Sequence, residues 1–184
     1  VESKEEGVPI KALLLCNPHN PIPQCYPLET IRGYLDIARE VRTSTQCETD
    51  VQFDLHLISD ELFAQSIFST RRNPNPRPFI SVLSLPEWSP DSDIINQIHV
   101  LASVTKDLGL SGLKAAILVT ENEDVRRCVE YNLGATPISG YSDAAISHIL
   151  RDDKLVDDLL AKNARLLGEA MDLCADWAEF HEFP

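Results

Sequence analysis

At 184 residues and 43% hydrophobic, the chain is long enough to bury one substantial core. Its formal net charge of −13 argues against nucleic acid and against an anionic membrane surface, since both reward clustered Lys and Arg. No apolar run approaches the ~20 residues that a membrane helix needs.

The first ten residues read as a polar lead-in, and the opening Val-Glu-Ser-Lys-Glu-Glu lacks the pattern of a signal peptide. Residues 11–16 read as a buried strand, cut short by Asn17-Pro18-His19-Asn20-Pro21. Pro27 sits at a helix start, followed by Leu28, Ile31, Tyr34, Leu35, Ala38 and Val41 at helical spacing. Residues 43–50 form a polar loop, and Val51, Phe53, Leu55 and Leu57 alternate into a second strand ending at Ile58, just before Asp60. Residues 71–78 hold three prolines and two asparagines, which predicts an irregular excursion. Residues 79–85 are a third strand candidate and 91–97 a short helix. Strands are expected over 98–103 and 113–120, a helix over 123–131, and a helical tail over 142–150 and from 153 to about 177. In that last helix Leu155, Leu159, Leu166, Ala170, Leu173, Cys174 and Trp177 lie near one face. The five cysteines (16, 25, 47, 128, 174) contain no CxxC, and the five histidines are scattered, so no metal site is expected. Cys16 and Cys174 read as reduced core residues, which suits a reducing, cytoplasmic compartment.

Short apolar strands alternating with helices predict an α/β fold with a mostly parallel sheet and flanking helices. Ligands of such sheets bind beyond the carboxyl ends of the strands. Three polar groups fall at such ends: Asn17 with Asn20, Asp60, and residues 103–106. A lysine just past a buried strand, as Lys106 is, can form a Schiff base where water is excluded. Ser103, Thr105 and a basic residue eight positions beyond Lys106 could hold a phosphate. Read singly, Lys106 is equally a loop lysine facing solvent, Asn17 and His19 are turn residues, and Asp60 is a cap.

Three stretches, ALLLCNPHNPIPQCYP, HLISDELFAQSIF and HVLASVTKDLGLSGLKAAIL, carry a resemblance in their order and spacing. The chain resembles the fold-type I pyridoxal-phosphate enzymes of aminotransferase class I/II. It looks closest to the branch of 1-aminocyclopropane-1-carboxylate synthases and their fungal relatives. The resemblance covers nearly the whole chain from about Lys11 and implies pyridoxal 5'-phosphate as cofactor, an α-amino acid as substrate and a homodimer. Carried over by position, it implies Asn20 at the cofactor's phenolic oxygen and Asp60 at the pyridine nitrogen. It implies Lys106 as the Schiff-base residue and general base, with Ser103, Thr105 and Lys114 on the phosphate.

Three positions depart from the family pattern. Phe63 stands where a tyrosine is usual and so removes one hydrogen bond to the phenolic oxygen. Lys114 replaces an arginine, keeping charge but losing the bidentate fork. Ile22-Pro23 alters the turn after Asn20. The family's usual length exceeds this chain's, so residues 1–141 are expected to be the second half of the cofactor-binding large domain. Residues 142–184 are expected to lead toward the small domain, and this stretch alone is expected not to turn over substrate. The implied chemistry is transamination or elimination of the aminocyclopropane type, with β-elimination at a C–S bond a close alternative. A non-catalytic homologue kept as a binding or dimerisation module is the alternative of a different class, and Phe63 and Lys114 favour it.

Overall fold

The computed structural model describes residues 10–43, 55–134 and 137–183. Four strands form one sheet in the order β1 (Ala12–Cys16), β2 (His56–Asp60), β3 (Ile98–Ala102), β4 (Ile117–Thr120). The first three run parallel, with Cys16 opposite Asp60 and Asp60 opposite Leu101. The last is antiparallel, pairing His99 with Thr120 and Ala102 with Ile117. The α/β class and the mostly parallel sheet expected from the sequence are both present. The first part of the second expected strand, with Val51 and Phe53, lies outside the described residues.

Sequential parallel strands joined by right-handed crossovers place successive connections on one face of a sheet. The core follows that rule. Helix α1 (Leu28–Thr43) buries Ile31, Leu35 and Ala38, and the second crossover inserts Val82, Leu85 and Ile94 beside them. All but Ala38 join one cluster with Leu15, Leu57, Ile98 and Val100 from the same face of the sheet. Period-two alternation sends Leu14 and Ile58 to the other face, and there Leu14 is 63% exposed.

Residues 79–85 correct the sequence reading, because they form no strand. Val82–Ser84 is a single 3-10 turn, capped by the Ser81 hydroxyl, which accepts from the amide of Leu83. The amide of Val82 is taken by the Glu61 carboxylate at 2.9 Å. With the amides of Val82 and Leu83 taken by side chains, and those of Ser84 and Leu85 by the carbonyls of Ser81 and Val82, the turn closes on itself instead of joining a ladder. The expected helix over 91–97 likewise shrinks to a 3-10 turn, Ile95–Gln97. Residues 113–116 precede β4 rather than extend it, and Leu113 belongs to the 3-10 turn Ser111–Leu113.

The chain then runs through α2 (Val104–Asp107), the one helical turn after β3, and on to α3 (Glu123–Leu133), α4 (Gly140–Leu150) and α5 (Asp153–Phe180). In α5 the docked face is not the apolar stripe read from the sequence. Leu155, Leu159, Leu166, Leu173, Cys174 and Trp177 are exposed, Trp177 at 57%. Val156, Leu160, Asn163, Ala164, Leu167 and Gly168 turn inward. Cys174 is therefore a surface residue, and Cys16 only half-buried, against the expectation that both lie in the core.

Candidate active site

Parallel strands bring their carboxyl ends to one edge, and the three singled-out stretches begin there. Backbone bonds keep these ends in step: the amide of Asn17 donates to the carbonyl of Asp60 at 2.9 Å, and that of Glu61 to the carbonyl of Leu101 at 2.8 Å. Asp60 thus ends the middle one of three adjacent parallel strands, and Asn20 and Lys106 follow the ends of the other two.

On the first arm, Asn17 is buried and works as a staple. Its Oδ1 accepts from the amide of Tyr26 at 3.0 Å and its Nδ2 donates to the carbonyl of Ile80 at 3.4 Å. The turn closes again through the amide of His19 donating to the carbonyl of Gln24 at 2.9 Å. Asn20, at its tip, is exposed. The ring of His19 meets Tyr26 edge-on at 6.0 Å, and its buried Nδ1 has no hydrogen-bond partner among the described residues.

On the second arm, Asp60 is half-buried as the last residue of β2, and its Oδ1 accepts from the amide of Leu62 at 3.2 Å. No helix follows for it to cap. Two tight turns follow instead, with the amide of Ala64 donating to the carbonyl of Glu61 and that of Ser66 to the carbonyl of Phe63. Phe63 is half-buried within them. Glu61 shares the core-facing parity of Leu57 and Ser59 and is buried. It accepts from the hydroxyls of Ser59 at 3.0 Å and Ser81 at 2.6 Å, besides the amide of Val82. Burial pushes its carboxyl above the usual range, and those three hydrogen bonds pull it partly back.

On the third arm, Ser103 caps α2, its Oγ accepting from the amide of Thr105 at 3.1 Å. The same Oγ donates to the carbonyl of Ala115 at 2.7 Å. A hydroxyl has one proton, so Thr105 Oγ1 is the donor across the 2.6 Å separating the two hydroxyls. Both residues are buried, and Lys106, between them and Asp107, is exposed. Gly109 takes φ of +68° just past the turn, the left-handed conformation that ends a helix at little cost for glycine. Lys114 also has positive φ, at 52°, and is exposed on the way into β4. That conformation is uncommon outside glycine.

A family profile described as "Aminotransferase class I and II" matches residues 1–179. The chain belongs to this family. It is 27% identical over 169 residues to a 1-aminocyclopropane-1-carboxylate synthase of Glycine max, covering 91% of this chain and 31% of the relative. It is 30% identical over 176 residues to a probable aminotransferase of Aspergillus fumigatus, covering 95% of this chain and 36% of that protein. Over 151 residues it is 34% identical to the human 1-aminocyclopropane-1-carboxylate synthase-like protein 1, covering 82% of this chain and 26% of that one. Thus the chain spans about a third of the length of these aminotransferase-family relatives. Among solved structures, Thermus thermophilus aspartate aminotransferase superposes with a TM-score of 0.68 at 16% identity, covering 94% of this chain and 38% of that one. Cystalysin of Treponema denticola, whose crystal structure contains pyridoxal 5'-phosphate, matches with a TM-score of 0.61 at 20% identity, over 82% and 34% of the two chains. At such identities these two establish the fold. The class I and II aminotransferases are pyridoxal-phosphate-dependent.

The donor set at the edge suits that cofactor in part. A carboxylate at Asp60, an amide at Asn20 and two ammonium groups at Lys106 and Lys114 are the groups a protonated ring, a phenolic oxygen, an aldehyde and a phosphate call for. The unpartnered Nδ1 of His19 marks further polar demand at the same edge. The hydroxyls of Ser103 and Thr105 are already engaged with protein, so a phosphate would have to compete for them. The sequence reading passed over Glu61 and Asp107, and took Asn17 for a plain turn residue. The core-facing parity of Leu57, Ser59 and Glu61 is the one signal that could have found Glu61.

Proposed function

We propose that this chain is part of a pyridoxal-phosphate enzyme acting on an α-amino acid, with Lys106 as the residue that holds the cofactor and moves the substrate's α-proton. What supports this reading is that the stretches bearing Asn20, Asp60 and Lys106 leave three adjacent parallel strands at the same carboxyl edge, in a chain of the aminotransferase family. Bound pyridoxal phosphate supplies an electron sink for the carbon that loses its proton. Asp60 would hold a proton on the ring nitrogen, and the Asn20 amide would donate to the phenolic oxygen. Ser103, Thr105 and Lys114 would take the phosphate, and Phe63 would pack against the ring without the hydroxyl of the usual tyrosine. The reaction is transamination or an aminocyclopropane-type elimination, and C–S β-elimination is the neighbouring chemistry. Residues 1–141 would be the second half of the large domain and 142–184 the approach to the small one. A homodimer and a cytoplasmic location belong to the same reading. Among the described residues no helix is long and apolar enough to cross a membrane.

A second reading, a non-catalytic homologue, is favoured by one observation: the Ser103 and Thr105 hydroxyls are internally satisfied, beside Phe63 and Lys114 in place of the usual residues. Absorbance with added pyridoxal phosphate separates the two. A visible or near-ultraviolet band, lost in Lys106→Ala and fixed to Lys106 by borohydride, supports the enzyme. No band with either protein sinks it and leaves the scaffold reading.

A further inference from the structure

Asp107 is 6% exposed, although it directly follows exposed Lys106 in α2. Its Oδ1 accepts from the Ser66 hydroxyl at 2.6 Å and its Oδ2 from the amide of Gln65 at 3.2 Å. Its backbone carbonyl accepts from Nδ2 of Asn163, on α5, at 3.0 Å. One residue thus joins the turn carrying Lys106 to the turns that descend from Asp60, and both to the long helix. Beside it lies a cavity of about 210 Å³ with Ala102, Leu108, Ile117, Leu150 and Leu160 in its wall. In such apolar surroundings hydrogen bonds are stronger and an unmade one costs more.

The carboxylate itself is informative. Burial raises its pKa, and only two neutral donors oppose that. Asparagine in its place could accept from the Gln65 amide through its oxygen and donate its NH2 to the Ser66 hydroxyl, which accepts as well as donates. The anchor therefore needs a short polar, planar side chain at this position, and alanine is the change that removes it. A four-residue helix anchored only by its parent strand would leave Lys106 free to swing. Anchored also to the turns that follow β2, the backbone that carries Lys106 is held against the Asp60 arm.

We propose that Asp107 is the positioning residue for Lys106: its two carboxylate bonds and its carbonyl bond fix the Lys106 turn against the Asp60 arm and α5. This rests on the reading of Lys106 as the cofactor-holding residue.

The test uses the 184-residue chain and the variants Asp107→Ala, Ser66→Ala and Ser66→Thr. Each is mixed with pyridoxal phosphate, reduced with borohydride and mapped by mass spectrometry. Amide hydrogen exchange of residues 104–108 is followed in parallel, without cofactor. The expected result is preferential labelling of Lys106 in the unsubstituted chain. Asp107→Ala and Ser66→Ala should lower it roughly tenfold to a hundredfold, the loss that misplacement near 1 Å brings. Ser66→Thr, which keeps the hydroxyl, should restore it, and protection of 104–108 should fall and recover in step. Undiminished labelling in Asp107→Ala, or equal loss in Ser66→Ala and Ser66→Thr, would overturn the proposal. If Lys106 labels no faster than other lysines in the unsubstituted chain, the attachment reading fails. Exchange then decides alone: unchanged protection in Asp107→Ala overturns positioning, and lost protection upholds the anchor.

Discussion

Glu61 sits out of water with three neutral donors aimed at it, so its carboxyl is held by geometry. Glu61→Ala strands those donors and should lower stability by about 2–4 kcal/mol in urea melts, since each buried unpaired group costs about 1–3 kcal/mol. Glu61→Gln keeps an acceptor for the Val82 amide and should be far milder. The pH dependence has a definite sign. A carboxyl raised above its ordinary 4.5 favours the folded state at low pH and loses that contribution as pH rises through its folded pKa. Glu61→Gln should therefore gain on the parent as pH climbs from 4.5 toward neutrality, and a constant difference would refute this. His99 has the opposite sign. Its Nε2 lies 2.7 Å from Nδ1 of His56 and its Nδ1 2.8 Å from Thr120 Oγ1. Burial, then the neighbouring His56, lower its pKa from 6.5 to about 4. The neutral ring is stabilising above 6.5, and that contribution drains as pH falls toward about 4. The ceiling is about 3 kcal/mol, and His99→Gln should flatten the urea-midpoint slope in that window.

Helix α5 makes its closest approach at a glycine. A Cβ on Gly168 would fall onto the carbonyl oxygen of Ser69, while Arg71 reaches Asp172 and Asp176 farther along the helix. Gly168→Ala should therefore destabilise the chain, although alanine favours an isolated helix by about 0.8–1.0 kcal/mol. A raised melting temperature in Gly168→Ala would contradict the close approach. The same contact explains why the docked face escaped the sequence reading. Hydrophobic periodicity selects Leu155, Leu159, Leu166 and Leu173, whereas the docked face mixes Leu160 and Leu167 with Asn163, Ala164 and a glycine that lets two backbones meet. Residues 79–85 escaped for a related reason. Their apolar run does enter the core through Val82 and Leu85, but the amides of 82–85 end on Glu61, Ser81 and Val82 instead of a neighbouring strand. The site edge was legible because each apolar run breaks abruptly into polar residues at Asn17, Asp60 and Ser103. Asp107 was not legible, because its partners lie 41, 42 and 56 residues away and leave no local pattern.

Across the whole molecule, one sheet face carries the core and the other shows Leu14, at 63% exposure, beside half-buried Ile58, with His56, Asp60 and His99 on the same face. An exposed apolar side chain on an edge strand is a point at which chains associate. Leu14→Lys should reduce concentration-dependent association in sedimentation and binding of an apolar dye. Its unfolding free energy should change by no more than about 0.5 kcal/mol, as for other surface substitutions. Association that persists unchanged would place the sticky surface elsewhere. The bond from the Ser103 hydroxyl to the Ala115 carbonyl has a wider consequence. It closes the base of the excursion between β3 and β4, so the sheet fixes where that segment leaves and returns but not what it contains. Lengthening such a loop is inexpensive, about 0.6 kcal/mol for each doubling. Residues added at its exposed tip, near Gly109 and Ser111, should therefore leave the sheet undisturbed, whereas changes at Ser103 or Asp107 should not.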